Sequence, residues 1–147
     1  MGFSVSASTA VIFAGLFLAL GMFYPAMANS YERVQAADAN QADRALEQAN
    51  TDIRLDDTTI NNAPSGDNQV DITLTNNGST SLTVSETDLL VNGTYIQRSE
   101  LDTEVDGDST TSLWLPGETL IITYETSGTV DRVRVVTEHG VAVSEDI

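Results

Sequence analysis

The first charged side chain in this sequence is Glu32, and that late onset limits the fold more than any other feature. Ahead of it, Phe3 to Ala28 holds only apolar, small and hydroxyl-bearing residues, with the run VIFAGLFLALGMFYPAMA from Val11 to Ala28. A bilayer core is crossed by about 20 apolar residues in a helix. A soluble remainder of this size gives no reason to bury a helix whose Val11, Phe13, Leu16, Phe17 and Leu20 point all round. A secretory signal would need a basic n-region, which MGFSVSAS lacks, although Ala26-Met27-Ala28 resembles a small-x-small cleavage site. Residues 1–29 therefore read as a membrane anchor. Gly15 and Gly21 lie six apart, so no GxxxG dimer motif is present. Pro25 is expected to kink the helix near its outer end, and Tyr24 and Tyr31 to sit at the interface.

The span continues into residues 30–52, rich in Ala, Gln, Glu and Arg, all good helix formers. Val34, Ala42, Ala45, Leu46, Ala49 and Ile53 trace a thin apolar stripe opposite a polar face, which predicts an amphipathic helical stalk with a packing seam. The seam faces either the chain's own distal domain or a neighbouring subunit's helix.

After Ile53 the hydrophobic period changes to two. Short runs of Val, Ile, Thr and Leu alternate with Asn, Gly and Pro breakers, predicting strands near 53–60, 69–76, 81–91, 94–98, 110–115, 119–126, 130–137 and 140–144. Asn92-Gly93 is a two-residue hairpin signal, because both residues tolerate positive φ. No helical crossover segments intervene, so residues 53–147 are expected to form an all-β immunoglobulin-like sandwich. Trp114, Leu115, Leu120, Ile122, Tyr124, Val133 and Val135 are its expected core.

Charge excludes whole classes of function. Of 147 residues, 22 are acidic and 6 basic, a net charge of −16, and every basic residue is arginine. Such a surface repels phosphate backbones and offers no basic patch, so no nucleic-acid partner is expected. At molar salt the Debye length falls to about 3 Å, which screens the self-repulsion of so acidic a domain. The composition accordingly suits a protein working in concentrated brine. Without cysteine there are no disulfides, thiolate metal sites or thiol nucleophiles.

Catalysis is not expected, and no cofactor is implied. His139, the single histidine, falls in a turn-like stretch, which points to an exposed turn residue rather than a triad member or metal ligand. The strongest chemical cluster is Asp102, Glu104, Asp106 and Asp108 before and after Gly107, a partial match to a calcium loop. An EF-hand wants Asp or Asn at its third position and Glu at its twelfth, where this chain has Glu104 and Leu113, so solvated loop acids compete with calcium ligation as the explanation. Asn77 and Asn92 head the triplets Asn-Gly-Ser and Asn-Gly-Thr and are candidate N-glycosylation sites in turns, which favours an outside location.

An uncharged opening, an apolar first helix with an amphipathic extension and a distal sandwich make up the plan of type IV pilin-like proteins. Within that superfamily, MGFSVSASTAVIFAGLF, the YERV after the anchor and VDITLTNNGSTSLTVSETDLLVNGTYI resemble the FlaF (ArlF) family of archaellum stator proteins from halophilic archaea. The resemblance spans nearly the whole chain and is most specific at the N-terminus and from Val70 to Ile96. It implies a stator-like archaellum component, single-pass in the cell membrane, with its sandwich outside the cell binding surface-layer protein. It also implies a homodimer and the related archaellum protein FlaG as a partner. The NNGST turn at Asn76 to Thr80 is one of its structural motifs. A prepilin-type cut would fall after Gly2, yet only Met1-Gly2 precedes Phe3, without the usual basic residue. The competing reading is a pilin- or archaellin-like filament subunit, whose first helix would pack into a polymer core.

Overall fold

The computed structural model describes residues 3–62 and 68–147. Met1-Gly2, ahead of the candidate peptidase cut, lies outside the described residues. The chain divides into two compact units, Met1–Asp43 and Arg44–Ile147.

The first unit is helix. A single α-helix, α1, runs over Phe3–Asn50, with Pro25 inside it and no break in the helical assignment there. Its described apolar side chains are exposed: Val11 by 72%, Phe17 by 72% and Leu18 by 65%. At about 1.5 Å per residue, the 26 residues from Phe3 to Ala28 extend ~39 Å, enough to cross the ~30 Å hydrocarbon layer. Such a helix is stable only in a solvent of lipid or against other apolar helices, since each fully exposed Leu or Phe forgoes roughly 1.5–3 kcal/mol of burial.

The second unit begins with the end of α1 and continues, among the described residues, as ten antiparallel strands. They are β1 (Ile53–Asn62), β2 (Asn68–Asn76), β3 (Leu82–Thr83), β4 (Asp88–Val91), β5 (Thr94–Ile96), β6 (Leu101–Val105), β7 (Leu113–Trp114), β8 (Thr119–Thr126), β9 (Arg132–Val136) and β10 (Ala142–Asp146). One sheet has the order β1-β2-β8-β6 and the other β10-β9-β4-β5, with β3 and β7 as a two-residue ladder. Apart from that ladder, this is the strand order of an immunoglobulin-type sandwich. The alternation that predicted strands is the alternation that fills the core. Val70, Ile72 and Leu74 of β2, Leu120 and Ile122 of β8, Leu89 of β4, and Val133 and Val135 of β9 are all fully buried, around Trp114.

Four expectations need correction. The long strand expected at 81–91 is interrupted by a 3-10 turn at Val84–Glu86, where the Thr87 hydroxyl donates to Thr83 O at 3.1 Å and diverts the backbone from its ladder. The strand expected at 110–115 pairs only at Leu113–Trp114, because Asp108 Oδ1 takes the Thr110 N–H and the Thr111 hydroxyl takes the Leu113 N–H. Leu115 is 40% exposed rather than core. The stretch read as an acidic loop contains a full strand, β6, paired to β8 from Leu101↔Tyr124 to Val105↔Leu120. Its Leu-x-Thr-x-Val alternation is a half-buried edge pattern, masked in the sequence by the acids between.

Candidate functional site

The local structure with the most unusual chemistry is where α1 ends and the sandwich begins. A helix leaves its last carbonyls without intrahelical partners. Here the NNGST turn supplies one of them and ties down the residue just beyond: Ser79 N–H donates to Asn50 O at the helix end, and Asn77 and Gly78 N–H both donate to Asp52 O past it, each at 2.9 Å. The Asn77 side-chain amide adds a bond to Asp52 Oδ2 at 2.9 Å. Within the last turn, the buried Thr51 hydroxyl donates to Glu47 O at 2.7 Å.

The clasp holds its shape because of Asn76, which is fully buried. Its side-chain amide donates to Thr80 O and Trp114 O, its Oδ1 accepts the Gly78 N–H, and its own carbonyl accepts Gly117 N–H. Every polar atom of this residue is used, so a buried amide here specifies one turn geometry instead of destabilising the core. Gly78 is dictated by space. A Cβ there would stand 2.5 Å from Asn50 O and 2.6 Å from Asp52 N, both backbone atoms that cannot swing aside.

A second contact closes on the same helix turn. The β9–β10 turn is held by Thr137 N–H to Val141 O and Gly140 N–H to Thr137 O. It places His139 Nδ1 at 3.8 Å from Glu47 Oε2 and Nε2 at 3.6 Å from Glu138 Oε1. His139 is thus in a turn, as expected, but its side chain is only 19% exposed and covered by carboxylates. Leu46, part of the predicted seam, is 61% exposed.

The remaining sequence candidates are placed as follows. Asp102 and Glu104 stand exposed on the outer face of β6. Asp106 and Gly107 have φ of 47° and 90° and form a tight turn after it, closed by Val105 N–H to Asp108 O and its reciprocal bond. Asp106 Oδ1 accepts Thr119 N–H at 3.0 Å. Asp108 Oδ1 accepts the Thr110 hydroxyl and N–H, which hold its carboxyl below the usual aspartate range. Among the described residues, no three His, Cys, Asp or Glu side chains are grouped to hold a metal ion. Asn77 belongs to the clasp. Asn92, at φ 51° beside Gly93 at 80°, forms the predicted β4–β5 turn, and its side chain bonds Thr129 O, Asp131 N and Arg132 N.

Sequence reasoning singled out the NNGST turn but not its task. The signal available was a lone buried-type Asn ahead of Asn-Gly, and the partners, Asn50 and Asp52, lie some 25 positions away, beyond any local pattern. A sequence model of the archaeal-type flagellin family matches residues 2–146. No curated protein matches the chain.

Proposed function

We propose that this chain, which belongs to the archaeal-type flagellin family, serves the archaellum as a membrane-tethered stator component of FlaF type. The family makes it an archaellum-related component, and one apolar N-terminal helix fits a single-pass membrane anchor. In the proposed role the sandwich lies outside the cell and grips surface-layer protein. The chain works as a homodimer alongside FlaG, in brine, by binding and without chemistry. The observation that carries this reading is the clasp of Asn76–Thr80 on Asn50 and Asp52: a load on the sandwich passes to the helix backbone through main-chain hydrogen bonds, which a force-bearing tether requires.

A filament-subunit role is favoured by the name of the matching family. The two readings separate in one experiment. After mechanical shearing of cells, a stator stays with the membrane fraction, and the detergent-solubilised chain binds solubilised surface-layer protein in molar salt. Recovery in the sheared fibres, with no binding to the layer protein, would sink the stator reading and leave the filament one.

A further inference from the structure

We infer that the outer edge of β6 is a docking site for an extended strand of another protein carrying arginine or lysine at alternate positions. The inference rests on reading the sandwich as an adhesive domain and names the surface that adheres.

The edge is open by construction. Asp106 N–H donates to Thr119 O on the β8 side, whereas Val105 N–H points the other way, to Asp108 O. The two-residue period of a strand then turns the Thr103 N–H and C=O, and the Leu101 C=O, away from β8. The Leu101 N–H is already taken by Arg98 O. After the Asp106-Gly107 turn the chain starts back along this edge, but only the Val105–Asp108 bridge forms. The Asp108 carboxylate captures Thr110 N–H at 2.8 Å and bends the chain off. Among the described residues, nothing else pairs with the outer side of β6. What is left is a cleft of about 500 Å³ lined by Leu101, Asp102, Thr103, Glu104, Ser109 and Ile121, among others. An added strand completes such an edge through its main chain, and its side chains set the choice of partner.

Charge selects the occupant. Residues directly opposite across an antiparallel pair interact, and like charges there are destabilising. A second copy pairing through its own β6 about Thr103 would set Asp102 against Glu104 twice, so the edge disfavours self-pairing. A strand with cationic side chains facing Asp102 and Glu104 is favoured, and among the described residues the alternating pair Arg132 and Arg134 lies in β9, which is already paired on both sides.

The test uses the full-length chain in detergent micelles and a fluorescein-labelled heptapeptide alternating threonine and arginine. Polarisation is read from molar salt down to the lowest salt, about 0.1 M, at which circular dichroism shows the sandwich still folded, since charges are screened over ~10 Å there and ~3 Å at molar salt. Saturable binding is expected, weakened at least tenfold by Thr103→Pro, which removes the free donor without touching the β8 ladder. It is expected to weaken as much in Asp102→Lys/Glu104→Lys, and to vanish for a peptide with glutamate in place of arginine. The lysine pair, confined to exposed side chains, decides the matter if Thr103→Pro fails to fold by circular dichroism. No binding, equal binding by the folded variants, or a wild-type dimer that Thr103→Pro converts to monomer overturns the inference. A parallel arm with solubilised surface-layer protein in molar salt separates the two levels. Peptide binding without layer binding keeps the edge and sinks the stator reading, whereas layer binding unchanged in both variants keeps that reading and removes the edge from it.

Discussion

The two units of this chain solve opposite problems with opposite means. Through residue 31 the helix has no charge, and its described apolar side chains are exposed, Phe17 by 72%. The sandwich unit carries most of the acids, yet its Val70, Ile72, Leu74, Leu120 and Ile122 are fully buried. In the sandwich, hydrophobicity is spent on a core that excludes water. In the helix it is kept on the surface, where it selects the solvent. The same amino-acid types therefore report burial in one unit and environment in the other, and exposure tells them apart.

The contrast can be broken from either side. Trp114→Ala removes the largest fully buried side chain and is expected to cost about 3–5 kcal/mol. Thermal melting should drop sharply while membrane retention of the full chain is unchanged. Leu18→Arg reverses that pattern. An arginine near the middle of a span costs roughly 2.5–3.5 kcal/mol of insertion, so the variant should shift into the soluble fraction or aggregate, with the sandwich melting as before. At the boundary, Gly78→Ala forces a Cβ against Asn50 O and Asp52 N and is expected to cost about 1–3 kcal/mol, within the usual range for a single disruptive substitution. Proteolysis between residues 44 and 53 should then be faster than in the wild type. Replacing Asn76 by Ala takes the side-chain amide donor from Thr80 O and Trp114 O, while Gly78 N–H keeps Asp52 O, and should act in the same direction, by roughly 1–3 kcal/mol.

The smallest effect is acid sensitivity. Asp56 is held below its ordinary value first by the Thr75 hydroxyl and then by Arg54, Asp108 by Thr110, and Asp146 by Arg132. A depressed folded-state value means stability that is present above the ordinary aspartate value of 3.8 and lost as the pH falls through and below it. All three are solvent-exposed, so a shallow decline in melting temperature below about pH 4 is expected, confined to the sandwich. Asp146→Asn should flatten part of it.

Much of this was legible in the residues. Where one local rule decides, sequence and structure agree: the run before Glu32 made the helix, and Asn92-Gly93 made its hairpin because both residues tolerate positive φ. The sandwich class followed once short alternating runs without crossovers were recognised, whereas the strand order came from the structure. Misreadings arose where side chains compete with the ladder. Thr87, Asp108 and Thr111 bond nearby backbone and shorten strands that propensity would have extended. In β6 the reverse happened: Asp102 and Glu104, with Asp106 and Asp108 beyond it, looked like ligands, and the half-buried Leu101 and Thr103 and the buried Val105 that alternate with them passed unnoticed. The clasp was hidden for a different reason, since Gly78 is required by backbone atoms of a segment far upstream.

That glycine has a consequence for how the two units can diverge. The three amide donors of residues 77–79 end on main-chain oxygens, which every amino acid possesses, so the upstream helix is free to drift in side-chain identity without losing the joint. What is fixed lies in the turn: the missing methyl at position 78 and the buried Asn76 amide that holds its shape. A foreign helix spliced in ahead of Arg44, with Glu47 and Asn50 retained, should therefore leave this clasp intact, and relatives are expected to vary more freely before residue 44 than across the turn at Asn76 to Thr80.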